Sequence, residues 1–346
     1  MARGLPVLDD APGVPDVVAR LGGRGERVHV NLGPVCNNNC VFCMEEDREL
    51  RYQVNSALTP ERVRDLLRRN AGAEEVCFTS GEPTLVAQLP AYCGWARELG
   101  FGRISVMTNG RRLSQLPYAA HLVKAGMNAF YVSIHGHEAK LHESLVRTPG
   151  AFAQTVAGLD NVTRLKAWGV VLHTSTVVTK RNLPHVGTGA IYDFLRAHGV
   201  DQVVFNVMQA TGRAHTHFDQ LFPRYTEIAE QFGRLIRERA PQPVEAYLVD
   251  IPLCVTEGIP DRNRGYVERY VHFEVSDPAR GPSDAAAARA RATDDGAFLE
   301  VQRADLDAVE RDKHSDCRRC KYDGVCEGVW RNYVARYGWD ELRPVA

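Results

Sequence analysis

The chain alternates two kinds of segment: short runs rich in β-branched residues, and longer stretches whose apolar positions recur at helical spacing. "RVHVNLG" (27–33) precedes a helix near 60–70, "EEVCFTS" (74–80) a helix near 87–99, and "RISVMTNG" (103–110) a helix near 117–125. "NAFYVSIHG" (128–136) precedes a helix near 150–166, "VVLHTSTVVT" (170–179) a helix near 184–197, and "VDQVVFNVM" (200–208) closes the series. Strands separated this regularly by helices predict parallel pairing with right-handed crossovers. Six units fall short of the eight that close a barrel. The pattern therefore predicts an α/β fold, a partial (β/α)6 barrel of TIM type, working at the C-terminal ends of its strands. Its expected bounds are 27–240, between an N-terminal extension (1–26) and a C-terminal domain (241–346).

Composition narrows the partners. With 346 residues, 44% hydrophobic and 25% charged, the chain reads as an ordinary soluble globular protein. A net charge of −1 gives no reason to expect a nucleic acid or an anionic membrane. The N-terminus has no continuous apolar core, and no stretch approaches the ~18 apolar residues of a membrane span, so a cytoplasmic location is expected. Nine cysteines in such a chain point to metal or catalysis more than to disulfides.

The chemistry gathers at the predicted strand ends. "GPVCNNNCVFC" follows the first strand and places Cys36, Cys40 and Cys43 within eight residues. Three thiolates are one short of a closed zinc site or a fully ligated iron–sulfur cluster. "SGEP" (80–83) follows the second strand, "TNG" (108–110) ends the third, "SIHGH" (133–137) the fourth, and "NVMQATGRA" (206–214) runs off the sixth. One rim collects them all.

The Cys-x3-Cys-x2-Cys spacing, with Phe42 before the last cysteine and Gly-Glu-Pro after the second strand, resembles the radical S-adenosylmethionine enzymes over roughly residues 27–215. The resemblance implies that the three thiolates hold a [4Fe–4S] cluster whose fourth iron binds S-adenosylmethionine. The cofactor is then cleaved to methionine and a 5′-deoxyadenosyl radical that abstracts hydrogen from substrate. It further implies that Ser80, Gly81, Glu82 and Pro83 meet the cofactor's ammonium, with Ser80 standing where the family commonly has glycine. Asn109 lies in the third rim loop, Ser133 is a candidate for the ribose hydroxyls, and Asn206 and Arg213 for the carboxylate or the substrate. A flavodoxin or ferredoxin is the expected electron donor. The plain alternatives are a zinc site completed by a distant histidine, a simple turn at "SGEP", a hairpin turn at "TNG" and a core serine at 133.

Histidines cluster at 135, 137 and 142 and again at 215 and 217. His135 is the catalytic candidate among them, against the commoner reading of a satisfied rim residue. His29 and His173 fall inside predicted strands and read as core or barrel lining.

A second cysteine group lies near the C-terminus: Cys317, Cys320 and Cys326, with Cys254 standing alone upstream. Four thiolates suffice to close a metal site. The Cys-x2-Cys-x5-Cys run resembles the C-terminal half of SPASM domains, but Trp330 occupies the place of a further cysteine. The resemblance therefore implies a reduced, twitch-like domain with a single auxiliary [4Fe–4S] cluster; a zinc site closed by the same four cysteines is the alternative. The Ala-, Arg- and Asp-rich stretch at 277–296 carries no functional reading, and Cys77 and Cys93 read as buried structural thiols.

These observations lead to an oxidoreductase acting on a small molecule, a sugar, aminocyclitol or nucleoside of secondary metabolism. A radical epimerase and a maturase of a ribosomally made peptide are the alternatives. Only 35 residues precede Cys36, too few for a folded peptide-recognition module, which favours the small-molecule reading.

Overall fold

The computed structural model describes residues 25–33, 35–44, 59–209, 212–241, 244–263, 272–274, 311–324 and 326–346. Residues 1–24 and the stretch at 277–296 lie outside the described residues.

All six predicted strands form, as β1 (Gly25–Asn31), β2 (Glu75–Thr79), β3 (Arg103–Thr108), β4 (Ala129–Ser133), β5 (Val171–Val178) and β6 (Gln202–Val207). The sheet then continues beyond expectation. β7 (Glu245–Val249) pairs in parallel with β6, and the short β8 (His272–Glu274) pairs in parallel with β1. The order is β7-β6-β5-β4-β3-β2-β1-β8, all parallel, an α/β partial barrel that stays open between β7 and β8 among the described residues. The boundary expected at residue 240 thus cuts through the sheet, because β7 lies beyond it.

The crossovers are α1 (Pro60–Arg69), α2 (Leu89–Glu98), α3 (Leu116–Ala125), α4 (Ala139–Val146), α5 (Ala151–Leu165), α6 (Leu183–Gly187) and α7 (Ala190–Ala197). After β6 come α8 (Gly212–Thr216), α9 (Phe218–Leu221) and α10 (Tyr225–Glu238). α1 starts behind Thr59, whose hydroxyl accepts from Arg62 N at 3.3 Å, with Pro60 in the first helical position, where its missing N–H costs nothing. The single helix expected over 184–197 is broken between α6 and α7, where Gly189 takes φ +76°.

Side chains alternate across each strand. Val28, Val30, Val76, Phe78, Ile104, Val106, Phe130, Val132, Leu172, Val203 and Phe205 are buried in the core between sheet and helices. The in-register partners on the other face line the lumen, and that lining is polar. Its lower layer joins Arg27, Glu75 and Arg103 with Ser105 and Tyr131: Arg27 pairs with Glu75 at 3.0 Å, and Ser105 Oγ and Tyr131 Oη both donate to Glu75 Oε1. Glu75 is buried, yet its carboxyl sits below the usual range because Arg27, Ser105 and Arg103 outweigh the burial that would raise it. Lumen residues higher up are Asn31 and Thr79, in register with each other, Met107 opposite Tyr131, Ser133 in register with Ser175, and Asn206 opposite Val177.

The C-terminal segment adds a two-stranded antiparallel ribbon, β9 (Arg311–Asp312) and β10 (Val329–Trp330), followed by α11 (Arg331–Tyr337). It docks on α9 and α10 through aromatics: Tyr333 stacks on Tyr225 at 3.9 Å between centroids, and Tyr337 meets Phe218 at 5.5 Å.

Candidate cluster and cofactor site

The cysteine loop leaves β1 at the C-terminal end of the sheet, and neighbouring elements hold it from several sides. Asn39 N and Val41 N donate to the carbonyls of Val146 and Leu145 at the end of α4, at 3.0 and 2.9 Å. Glu82 N, in the Gly-Glu-Pro loop, donates to Val35 O at 2.8 Å. From beyond β6, Arg213 N donates to Cys43 O at 3.0 Å. Gly212, at φ +57°, makes that approach possible: a Cβ there would lie 2.3 Å from Met44 O.

The three asparagines between Cys36 and Cys40 are used one by one. Asn37 Oδ1 accepts from Asn109 Nδ2 at 2.6 Å, Asn38 Oδ1 from Arg111 at 3.1 Å, and Asn39 Oδ1 from Arg213 at 2.5 Å. Arg111 also donates to Asn37 O, and Arg213 to Cys40 O at 3.1 Å. Cys36 Sγ receives Asn38 N at 3.4 Å and Asn109 Nδ2 at 4.0 Å.

The donor set fits an iron–sulfur cluster. All three thiols are half-buried, and N–H groups already point at one sulfur. Burial, then the proximity of Cys43 and Cys36, pushes the Cys40 thiol above its ordinary range, with Arg213 opposing. Bound iron would offset that crowding of like charge with its own positive charge and so keep the thiolates deprotonated.

The Gly-Glu-Pro loop is braced from below. Glu82 is buried and spends its carboxylate internally, Oε1 accepting from Thr84 N, Thr84 Oγ1 and Thr108 Oγ1, Oε2 from Asn109 N at 2.7 Å. Burial raises its pKa against those hydrogen bonds. Glu82 therefore locks the second rim loop to the third, with Pro83 buried beside it. Ser80 and Gly81 take φ +71° and +55°, the left-handed region in which glycine is at ease and serine is not. This gives a physical reason for the family's usual glycine at position 80.

Phe42 is half-buried and meets the ring of His135 edge-on, with centroids 4.7 Å apart. His135 lies behind Phe42, 3% exposed, its Nδ1 accepting from Val177 N at 3.1 Å. Burial, then His142, holds it neutral. His142 in turn accepts from His135 N at 3.1 Å, so the pair forms a neutral shelf under the loop. Its Nδ1 lone pair being committed, His135 has no free base to offer at that atom. His137 pairs with His185, and His215 is exposed. Ser133 is half-buried at the lumen's upper end, and Asn206 Nδ2 donates to Ser175 Oγ. Sequence reading missed Asn31, Thr79, Ser175 and Arg111. The period-2 alternation of the strands could have found the first three.

Cys254 follows the end of β7 as Cys36 follows the end of β1, and so leaves the same face of the sheet. Its thiol is pushed up to about 12 by burial, then by Cys326, Cys320 and Cys317, which places all four thiols within electrostatic reach. Val345 N donates to Cys320 Sγ at 3.3 Å, and Lys321 N to Val345 O at 2.8 Å, wrapping the C-terminus around this group. A buried ion pair, Arg311 with Asp250 at 2.8 Å, ties the ribbon to the end of β7, and Arg311 also lies over Trp330 at 3.8 Å.

Comparison with known proteins assigns the class. Residues 30–187, a little under half of the chain, match the Radical SAM superfamily model, so the chain carries a Radical SAM domain, a class that implies a [4Fe–4S] cluster and S-adenosylmethionine. It is 27% identical over 226 residues to a probable GTP 3′,8-cyclase of Sulfurisphaera tokodaii, covering 65% of this chain and 67% of that protein. An AdoMet-dependent heme synthase of Oleidesulfovibrio alaskensis is 30% identical over 43% of this chain and 37% of its own length. A probable GTP 3′,8-cyclase of Saccharolobus islandicus is covered over 53% of its length, so the chain spans about half to two thirds of these cyclases. In fold it is similar to Streptococcus suis SuiB bound to S-adenosylmethionine, with TM-score 0.58 and 14% identity over 96% of this chain and 80% of that one. It is also similar to anSMEcpe with bound AdoMet and a Kp18Cys peptide, with TM-score 0.54 and 13% identity over 88% and 90%. Among the described residues no helix is long and apolar enough to cross a membrane.

Proposed function

We propose that this enzyme dehydrogenates a small polyol-like molecule (a sugar, aminocyclitol or nucleoside) at the upper end of the lumen. The observation that carries the reading is the group of short hydroxyl and amide side chains there, Asn31, Thr79, Ser133, Ser175 and Asn206, with Met107 and Val177 between them. Such groups match the donors and acceptors of a hydroxylated substrate. Similarity to a protein named as a probable GTP 3′,8-cyclase supports the nucleoside end of that class.

In this reading Cys36, Cys40 and Cys43 hold the cluster, and Phe42, the 80–83 backbone, Asn109, Ser133, Asn206 and Arg213 surround the cofactor. When bound, cluster and S-adenosylmethionine supply a hydrogen-abstracting 5′-deoxyadenosyl radical, with a flavodoxin or ferredoxin as electron source. The substrate that has lost a hydrogen atom must then lose one electron and one proton to become the dehydrogenated product. Cys254, Cys317, Cys320 and Cys326 would hold the auxiliary [4Fe–4S] acceptor in a twitch-like domain that begins beyond β7. Four thiolates leave that cluster no iron free for exchange, which suits electron transfer.

The test is anaerobic reconstitution followed by incubation with S-adenosylmethionine, dithionite and a panel of sugars, aminocyclitols and nucleosides. A product lighter by two hydrogens, matched by 5′-deoxyadenosine, is the expected result. A product of unchanged mass that acquires solvent deuterium makes the enzyme an epimerase. Turnover on peptides alone makes it a maturase.

A further inference from the structure

The run Cys36-Asn-Asn-Asn-Cys40 has a property that its spacing does not announce: each asparagine carbonyl is held by a different rim side chain, and two of these are guanidinium groups. Their placements differ. Arg111 is spread over Asn37 O, Asn38 Oδ1 and Gln154 Oε1. Arg213 brings one nitrogen, Nη1, to both Asn39 Oδ1 and Cys40 O, while its own backbone N–H holds Cys43 O. It therefore spans the last two cysteines of the triplet from the far end of β6.

We propose that Arg213 is a positioning residue for the cluster: it orients the Cys40–Cys43 half of the loop and sets the cluster's reduction potential through its charge. The proposal rests on the reading of the triplet as the cluster site. A fixed cation beside a thiolate ligand favours the more negative, reduced state, so removing it makes the cluster harder to reduce. Arg and Lys share the charge but not the fork, which lets charge and geometry be separated.

The experiment is an EPR-monitored redox titration of the reconstituted full-length protein, with iron content measured alongside. The signal that is absent from the Cys36, Cys40 and Cys43 triple-alanine protein identifies the triplet's cluster. R213Q is expected to keep the iron and shift the midpoint potential of that signal downward, whereas R213K is expected to stay near wild type in potential. N39A removes one of the two acceptors without touching a charge and serves as the second variant, expected to retain the wild-type potential. An unchanged potential in R213Q, or R213K or N39A shifted as far as R213Q, overturns the proposal. A cofactor-responsive signal that survives replacement of all three cysteines would instead overturn the site itself, so the two failures are distinguishable.

Discussion

The two cysteine groups are built by opposite strategies. The triplet lies on one loop, eight residues from first to last thiol, and is fixed by hydrogen bonds to the α4 carbonyls and from the Gly-Glu-Pro loop, Asn109, Arg111 and Arg213. The quartet takes Cys254 from just beyond β7 and three thiols from past residue 311, brought together by docking: the Arg311–Asp250 pair, and Tyr333 on Tyr225. A site with four ligands can be ordered largely by the metal it binds. A site that reserves one iron for a cofactor has only three protein ligands, so its loop must be organised by its surroundings. On the proposed reading of triplet and quartet, that difference accounts for the dense hydrogen bonding around the triplet.

The largest effect that can break this comparison is loss of the triplet. Replacing Cys36, Cys40 and Cys43 by alanine should abolish 5′-deoxyadenosine formation under dithionite. Cleavage that persists would move the cluster elsewhere. Next is metal content: two cubes give about eight irons per chain, against about four if the quartet holds zinc. C254A should lose or alter the second cluster's spectrum and leave the first intact. One zinc with four irons in the wild-type protein would end the electron-exit reading.

Docking of the quartet can be weakened without touching a thiol. Asp250 and Arg311 are both nearly fully buried, with side chains 7% and 2% exposed. R311M leaves a buried carboxylate facing Met and should cost about 3–5 kcal/mol in urea denaturation. A double replacement, R311M with D250N, should recover part of that, because Asn removes the buried charge while tolerating the left-handed φ of +61° at 250, and Glu327, the other carboxylate near Arg311 at 3.4 Å, still reaches solvent. If R311M alone is neutral, the pair does not hold the ribbon.

Much of this architecture was legible in the sequence, and the gaps have physical causes. β1 to β6 announce themselves because each is a run rich in β-branched or, in β4, aromatic residues bounded by helical spacing. β7, "EAYLV", offers five residues with one β-branched side chain, and only pairing with β6 makes it a strand. α4 hid behind "IHGH", whose histidines drew the eye to chemistry. The triplet was visible because its ligands are local. The side chains that hold it were not, since the Asn109 and Arg213 contacts bridge 72 and 174 residues of chain. His135 shows the converse: its type suggested catalysis, and its burial and committed Nδ1 reveal a support.

That support yields the smallest effect, one confined to the triplet's side of the molecule. α4 carries both His142 and the carbonyls that receive Asn39 N and Val41 N. Burial, then the charge of Arg111, holds the His142 pKa at about 4 against an ordinary 6.5. The unfolded chain therefore binds a proton between these values that the folded chain refuses, and stability must fall as pH drops from about 6.5 towards 4. Between pH 7 and 5 the loss from this residue is about 2 kcal/mol. Asparagine can offer its Oδ1 to His135 N in place of Nδ1, and it does not titrate. H142N should therefore flatten the stability–pH curve in urea denaturation, without levelling it, because His135 is shifted in the same direction. An H142N curve as steep as wild type would place the acid sensitivity elsewhere. A curve that flattens while the quartet's spectrum stays constant across the same pH range would locate it under the triplet loop.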